Sequence, residues 1–173
     1  MPLLHAPKLR HDAEVYRDAI IRWIETLKPD LFVTINFCEA MPLHRVEYLL
    51  FAANIRILRH LFKRNWSKKK LQHPVWIACH ERTETDHAHV HMFVRYPNIN
   101  DSTWATYHKL WATIGSEIVG HNIAVNVQNI EPGTSLSTAR YATKRFPDIT
   151  CSLGCPPIPA ELPPRMNAPH PAV

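Results

Sequence analysis

Three histidines, His87, His89 and His91, recur at every second residue and run directly into the apolar Met92-Phe93-Val94. In an extended strand alternate side chains share a face, so the imidazoles would point one way and Ala88, Val90 and Met92 the other. Such a strand can seat its apolar side on a core and present a stiff row of metal ligands on the other. A single histidine in a chain carrying twelve signals little, whereas three in register point to a divalent cation. Glu81 closes the preceding apolar run. If the two runs pair as a hairpin, its carboxylate approaches the imidazoles and completes a two-histidine, one-carboxylate set. His80 competes for that place, because a shift of one in hairpin register exchanges the two faces. The other reactive pair is Tyr141 and Lys144, which share a face if their segment is helical. A phenol has a pKa near 10 and is a poor nucleophile at neutral pH. A neighbouring ammonium and a metal-polarised phosphate would both ease its attack.

The elements that must hold these groups are legible from periodicity. Residues 1–10 read as a loose arm. Val15, Ala19, Ile20, Trp23, Ile24 and Leu27 follow helical spacing over Asp12–Leu27, and Pro29-Asp30 ends that helix. Leu31 to Phe37 is a β-rich run in which Thr34 and Asn36 share a face; Asn is disfavoured in strands, so Asn36 needs a reason. Pro42 opens a long helix over Leu43–Arg64. The strands Pro74–Glu81 and His87–Arg95 flank a five-residue connection, as in a hairpin. Trp104, Tyr107, Leu110, Trp111, Ile114 and Ile118 line one side of a further helix, as core rather than as a base-stacking surface. Ile123, Val125 and Val127 alternate in a fourth strand over 122–130, and Thr134–Lys144 reads as the last helix. Beyond Pro147 the chain is too proline-rich to pack as helix or sheet. The order helix, strand, helix, hairpin, helix, strand, helix predicts an α+β domain over residues 11–146, an antiparallel sheet covered by helices, with residues 147–173 as a disordered tail.

Composition agrees with one soluble globular domain: 46% apolar and 20% charged residues in 173. The net charge of +5 favours a polyanionic partner. Basic residues cluster at Lys63-Arg64, Lys68, Lys69 and Lys70 around Trp66, and at Arg140, Lys144 and Arg145. The former could equally be a solvated helix end. Cys38, Cys79, Cys151 and Cys155 lack a disulfide-framework spacing, and Cys38 and Cys79 read as buried thiols. With no apolar signal segment and no run of membrane-spanning length, the expectation is a cytoplasmic protein with no membrane partner.

Taken together, three motifs resemble those of the HUH endonucleases, the rolling-circle replication initiators (Rep proteins) of plasmids, phages and small single-stranded DNA viruses. Phe32-Val33-Thr34-Ile35-Asn36 is similar to the family's aromatic strand ending in Thr-x-Asn. His89-Val90-His91 resembles its His-hydrophobic-His motif, and Tyr141 to Lys144 its Tyr-x-x-Lys motif. Glu81 stands where viral members carry a metal-binding glutamate. The resemblance covers about residues 30–146 and implies an RRM/ferredoxin-like antiparallel sheet. It implies a single-strand nickase and ligase holding Mg²⁺ or Mn²⁺ on His89, His91 and Glu81. Tyr141 would attack to give a 5′-phosphotyrosine link, Lys144 would stabilise the phosphate, and Thr34 and Asn36 would help hold the DNA, with Arg140, Arg145 and Lys68 to Lys70 on its backbone.

The chain departs from the family pattern in carrying His87 as a third histidine, so the pair could be His87 and His89. A single candidate catalytic tyrosine argues for the single-tyrosine branch of that family. No Gly-x-x-x-x-Gly-Lys-Ser/Thr occurs, so a host or separate helicase would unwind the origin or hairpin substrate. Alternatives are a transposase or relaxase of the same superfamily, a non-cleaving DNA-binding regulator, and a zinc hydrolase using His87, His89 and His91.

Overall fold

The computed structural model describes residues 6–68, 73–82, 87–96, 101–119, 123–144 and 149–154. Four helices, α1 (Ala6–Leu27), α2 (Leu43–Phe62), α3 (Asp101–Val119) and α4 (Ser135–Ala142), pack on five strands. The strands are β1 (Leu31–Ala40), β2 (Val75–Arg82), β3 (His87–Arg95), β4 (Ile123–Asn129) and β5 (Ile149–Gly154). They form one antiparallel sheet in the order β4-β1-β3-β2-β5. The expected α+β class, a sheet covered by helices, is what the chain adopts.

Alternation along the strands divides the core into two layers. Leu31, Val33 and Ile35 of β1 and Val90, Met92 and Val94 of β3 face α2 and α3, where Leu50, Ala53, Ile57, Tyr107 and Trp111 are buried. Phe32 and Phe93, with Ile77 and Cys79 of β2, face the opposite way, onto Ile20, Ile21 and Ile24 of α1 and Ala139 and Ala142 of α4. Cys79 is buried, as expected. In the first layer the Tyr107 hydroxyl donates to Asn54 Oδ1 at 3.1 Å, and its ring meets Tyr96 edge-on. At the sheet's lower end Asp30 ties strands together: Oδ2 accepts from the Tyr96 N–H at 2.8 Å and Oδ1 from Arg95 at 3.3 Å. Burial raises the Asp30 pKa, and Arg95 opposes the shift.

Four expectations need correction. Helix α1 starts at Ala6, so part of the expected N-terminal arm is helical. Val15 and Trp23, which share its apolar spacing, are about half exposed, whereas Ile20 and Ile24 of the same spacing are buried together with Ile21. Helix α2 gives way at Lys63, whose φ of 51° breaks the helical path, to a 3₁₀ segment over Lys63–Lys68. The stretch expected to be a tail supplies β5, which pairs with β2 through Cys79↔Cys151 and Glu81↔Ile149. Its residues precede the proline run, which begins at Pro156. Cys155 and the remaining prolines lie outside the described residues. Among the described residues no helix is long and apolar enough to cross a membrane.

Candidate metal centre and tyrosine site

The second layer is where the reactive residues meet. Register places Asn36 opposite His89 and Thr34 opposite His91 across β1 and β3, while Glu81 pairs with His89 and Cys79 with His91 across β2 and β3. Because directly opposed residues share a face, Glu81, His89, His91, Thr34 and Asn36 all project toward α4. His80 pairs with Val90 and therefore faces the α2 side. The hairpin register thus selects Glu81, and His80 is not brought to the site. His87 has the right parity, but the register between β1 and β3 shifts beyond Asn36, and it falls outside the ligand cluster. The three-histidine zinc set is not assembled among the described residues.

Glu81, His89 and His91 place one potential ligand atom each within 4.8 Å of one another. His89 Nε2 lies 3.1 Å from His91 Nε2, and His91 Nε2 lies 3.7 Å from Glu81 Oε2. Ligands at about 2.1 Å from one ion, at right angles to each other, stand about 3 Å apart, so the donor set fits a single divalent cation bound on one side. Burial, reinforced by His89 and Lys144, pushes the His91 pKa down to about 3. The imidazole is therefore neutral at physiological pH, the form in which it ligates metals. Thr34 Oγ1 lies 3.3 Å from His91 Nδ1; in the tautomer protonated at Nδ1 the ring would donate to this hydroxyl and leave the Nε2 lone pair for a cation. Phe32 stacks on the same ring at 5.2 Å and 14°, fixing its plane. His91 and Glu81 are buried and His89 is half-buried, so the cluster opens on the His89 side.

Helix α4 brings the tyrosine. Ala139, Ala142 and Thr143 bury its inner side; Thr143 Oγ1 donates to the Ala139 carbonyl at 2.9 Å and receives Arg17 Nε at 3.4 Å. With those positions turned inward, Tyr141 lies over His91, the rings edge-on at 5.5 Å, and is 51% exposed. The last helix ends at Ala142 rather than Lys144, yet Lys144, in the turn that follows, places Nζ 4.1 Å from the centre of the Tyr141 ring.

Beside the cluster runs a groove of about 580 Å³, lined by Phe32, Thr34, Asn36, His89, Asn126, Gln128, Ser137, Thr138 and Tyr141. Its presence gives Asn36 the reason that its place in a strand demands. Asn126, Gln128, Ser137 and Thr138 were not singled out from sequence. Asn126 and Gln128 alternate with Val125 and Val127 in β4, a polar side that the two-residue period makes visible. Of the expected DNA contacts, Arg140 is exposed on α4 near the site. Lys68 is not near it: it follows α2, in the layer on the other side of the sheet. Lys69, Lys70 and Arg145 lie outside the described residues. Comparison with protein-family models, curated proteins and solved structures finds no match to this chain.

Proposed function

We propose that this protein is a metal-dependent nickase and ligase of single-stranded DNA, with Tyr141 as nucleophile. The observation that carries the reading is the placement of Tyr141 directly over His91 of the Glu81, His89, His91 cluster, with the Lys144 ammonium against the same ring. A phenol standing over a metal-ligand set is suited to attack on a phosphodiester, and the basic net charge suits the substrate.

Bound on Glu81, His89 and His91, Mg²⁺ or Mn²⁺ would supply Lewis-acid polarisation of a phosphate oxygen. The mixed imidazole and carboxylate set favours Mn²⁺ in affinity. The remaining work falls to the chain's own residues. Tyr141 Oη forms a bond to phosphorus as the bond to the 3′ oxygen breaks; the phenol proton is given up and the departing 3′ oxygen gains one. The products are a 5′-phosphotyrosine and a 3′-hydroxyl, and reversal reseals the strand. Lys144 offsets the charge that develops on the phenolic oxygen and the phosphate. Thr34 and Phe32 hold His91 in orientation, and the amide and hydroxyl groups of the groove receive the strand. Within this reading, initiation of rolling-circle replication is the role we favour.

The test incubates the protein with single-stranded oligonucleotides and Mn²⁺ and looks for a protein–DNA adduct that survives denaturation. The expected adduct disappears on chelation and in Tyr141→Phe. DNA binding without any adduct, over a broad set of sequences, would replace the nickase with a non-cleaving regulator. An adduct that persists in Tyr141→Phe would remove Tyr141 from the chemistry.

A further inference from the structure

The charge of this chain is unevenly distributed. Between Tyr48 and His80 there is no Asp or Glu, and seven Lys or Arg residues: Arg56, Arg59, Lys63, Arg64, Lys68, Lys69 and Lys70. That segment carries +7, leaving −2 for the rest, since the whole chain is +5. On α2 the basic residues fall on one side. Counting 100° per residue from Arg45, residues Arg56, Arg59 and His60 all lie within about 60° of it. These four are exposed, as is Lys63 just past the helix end. The buried residues Val46, Leu50, Asn54, Ile57 and Leu58 lie about 100–220° from Arg45, on the side turned inward. Glu47, the one acid on α2, points away from the stripe.

The stripe is longer and more rigid than a helix end neutralising its own dipole would require. That effect is confined to the last turn, whereas Arg45 to Arg59 spans 14 residues, about 21 Å of helix. Its far end is locked. The Arg59 guanidinium lies 5.5 Å over the Trp66 ring, His73 stacks on Trp66 at 13°, and the His73 ring nitrogen lies 2.6 Å from the Trp66 carbonyl oxygen. This surface is distant from the metal cluster. It lies on the other side of the sheet, and from His73 to Glu81 the β2 path covers eight residues, about 26 Å.

We infer that the outer side of α2 is a second nucleic-acid site, which grips the phosphate backbone of duplex DNA flanking the cleaved strand. Tyr48 is the one exposed large aromatic on α2, so the stacking platform that holds single strands is lacking. Cations gathered on one side of a helix instead suit the phosphates of a duplex and carry no base readout. An anionic membrane is the less suited partner, because the stripe is not interleaved with exposed aliphatic residues. The role of this surface rests on the proposed function, but its test does not.

The probe is a 20-bp duplex of arbitrary sequence, titrated by fluorescence anisotropy from 50 to 200 mM salt. The triple variant Arg45→Gln, Arg56→Gln, Lys63→Gln removes three cations without touching the Arg59–Trp66 lock. Its salt slope should fall by about 2.7, so that over this salt range it loses about 40-fold less affinity than the parent. The matching variant Arg45→Lys, Arg56→Lys keeps the charge and should keep the slope. An unchanged slope and affinity in the triple variant, or binding to phosphatidylserine vesicles without binding to the duplex, would overturn the inference. Adduct formation on short single strands should be unaffected by the triple variant. Loss of that adduct in the parent, with the duplex slope intact, would instead sink the nickase reading alone.

Discussion

Replacing Glu81 by Gln should have opposite consequences in the metal-free and metal-loaded protein. Glu81 is 6% exposed, and its Oε2 stands 3.7 Å from an imidazole that burial keeps neutral. Without a cation, a buried carboxylate here lacks a full opposite charge in His91. Its conversion to an isosteric amide should leave stability within about 1 kcal/mol, or raise it. With a cation at 100 times its dissociation constant, linkage adds about 2.7 kcal/mol to the parent protein. For a chain of this size that amounts to a Tm rise of about 5–11 °C. Loss of a supporting residue already weakens metal sites 10–100-fold, so loss of a direct anionic ligand should weaken this one at least 100-fold. At the same cation concentration the variant would then gain only about 0.4 kcal/mol, roughly 1 °C. The assay is thermal unfolding after chelation, repeated across a Mn²⁺ titration. An undiminished cation shift in Glu81→Gln would remove the carboxylate from the site. A metal-free loss of 3 kcal/mol or more would make Glu81 a structural anchor instead.

Two further outcomes concern the layer behind the sheet. Burial lowers the His80 pKa to about 4. The unfolded chain therefore takes up this proton first as pH falls, and stability should drop by about 1.4 kcal/mol per pH unit between pH 6.5 and about 4. Urea unfolding of metal-free protein at pH 7 and 4.5, compared with His80→Gln, measures the contribution; equal slopes in both proteins would refute it. Tyr107→Phe strips the buried Asn54 carbonyl of its donor and should destabilise by about 1–3 kcal/mol in the same assay. A variant as stable as the parent would mean that Asn54 finds another donor.

What the sequence revealed tracks what a short period can encode. The two-residue alternation of His87 to Phe93 specified both the strand and the side on which its imidazoles lie. The pairing of Glu81 with His89 was not legible, because the hairpin connection of Arg82 to Asp86 admits more than one register. Only the assembled sheet separates Glu81 from His80. His87 has the same parity as its neighbours, and the irregular pairing past Asn36 that sets it aside leaves no mark in composition. Strand β5 was hidden by the prolines that follow it, since a composition averaged over 147–173 masks six residues with ordinary strand character. Trp23 and Val15 follow the apolar spacing of α1, yet half of each stays in solvent: spacing describes a helix side, and the neighbour that covers it is a property of the fold. For Lys68, clustering showed the charge and could not show which layer bears it.

Strand β5 also constrains how the tyrosine helix can move. The chain enters α4 from β4, at one border of the sheet, and by β5 it has reached the other border, beside β2. Four inter-strand spacings, about 19 Å, separate those borders, and α4 lies between them like a strap buckled at both ends. A helix tethered on one side could swing outward, or be traded with a second copy of the chain. Here, release of Tyr141 would first require peeling β5 from β2 and breaking its backbone pairing. Tyr141 and the Glu81, His89, His91 cluster are thereby committed to the same polypeptide, and removing the chain after Lys144 would loosen the tyrosine while leaving the cluster in place.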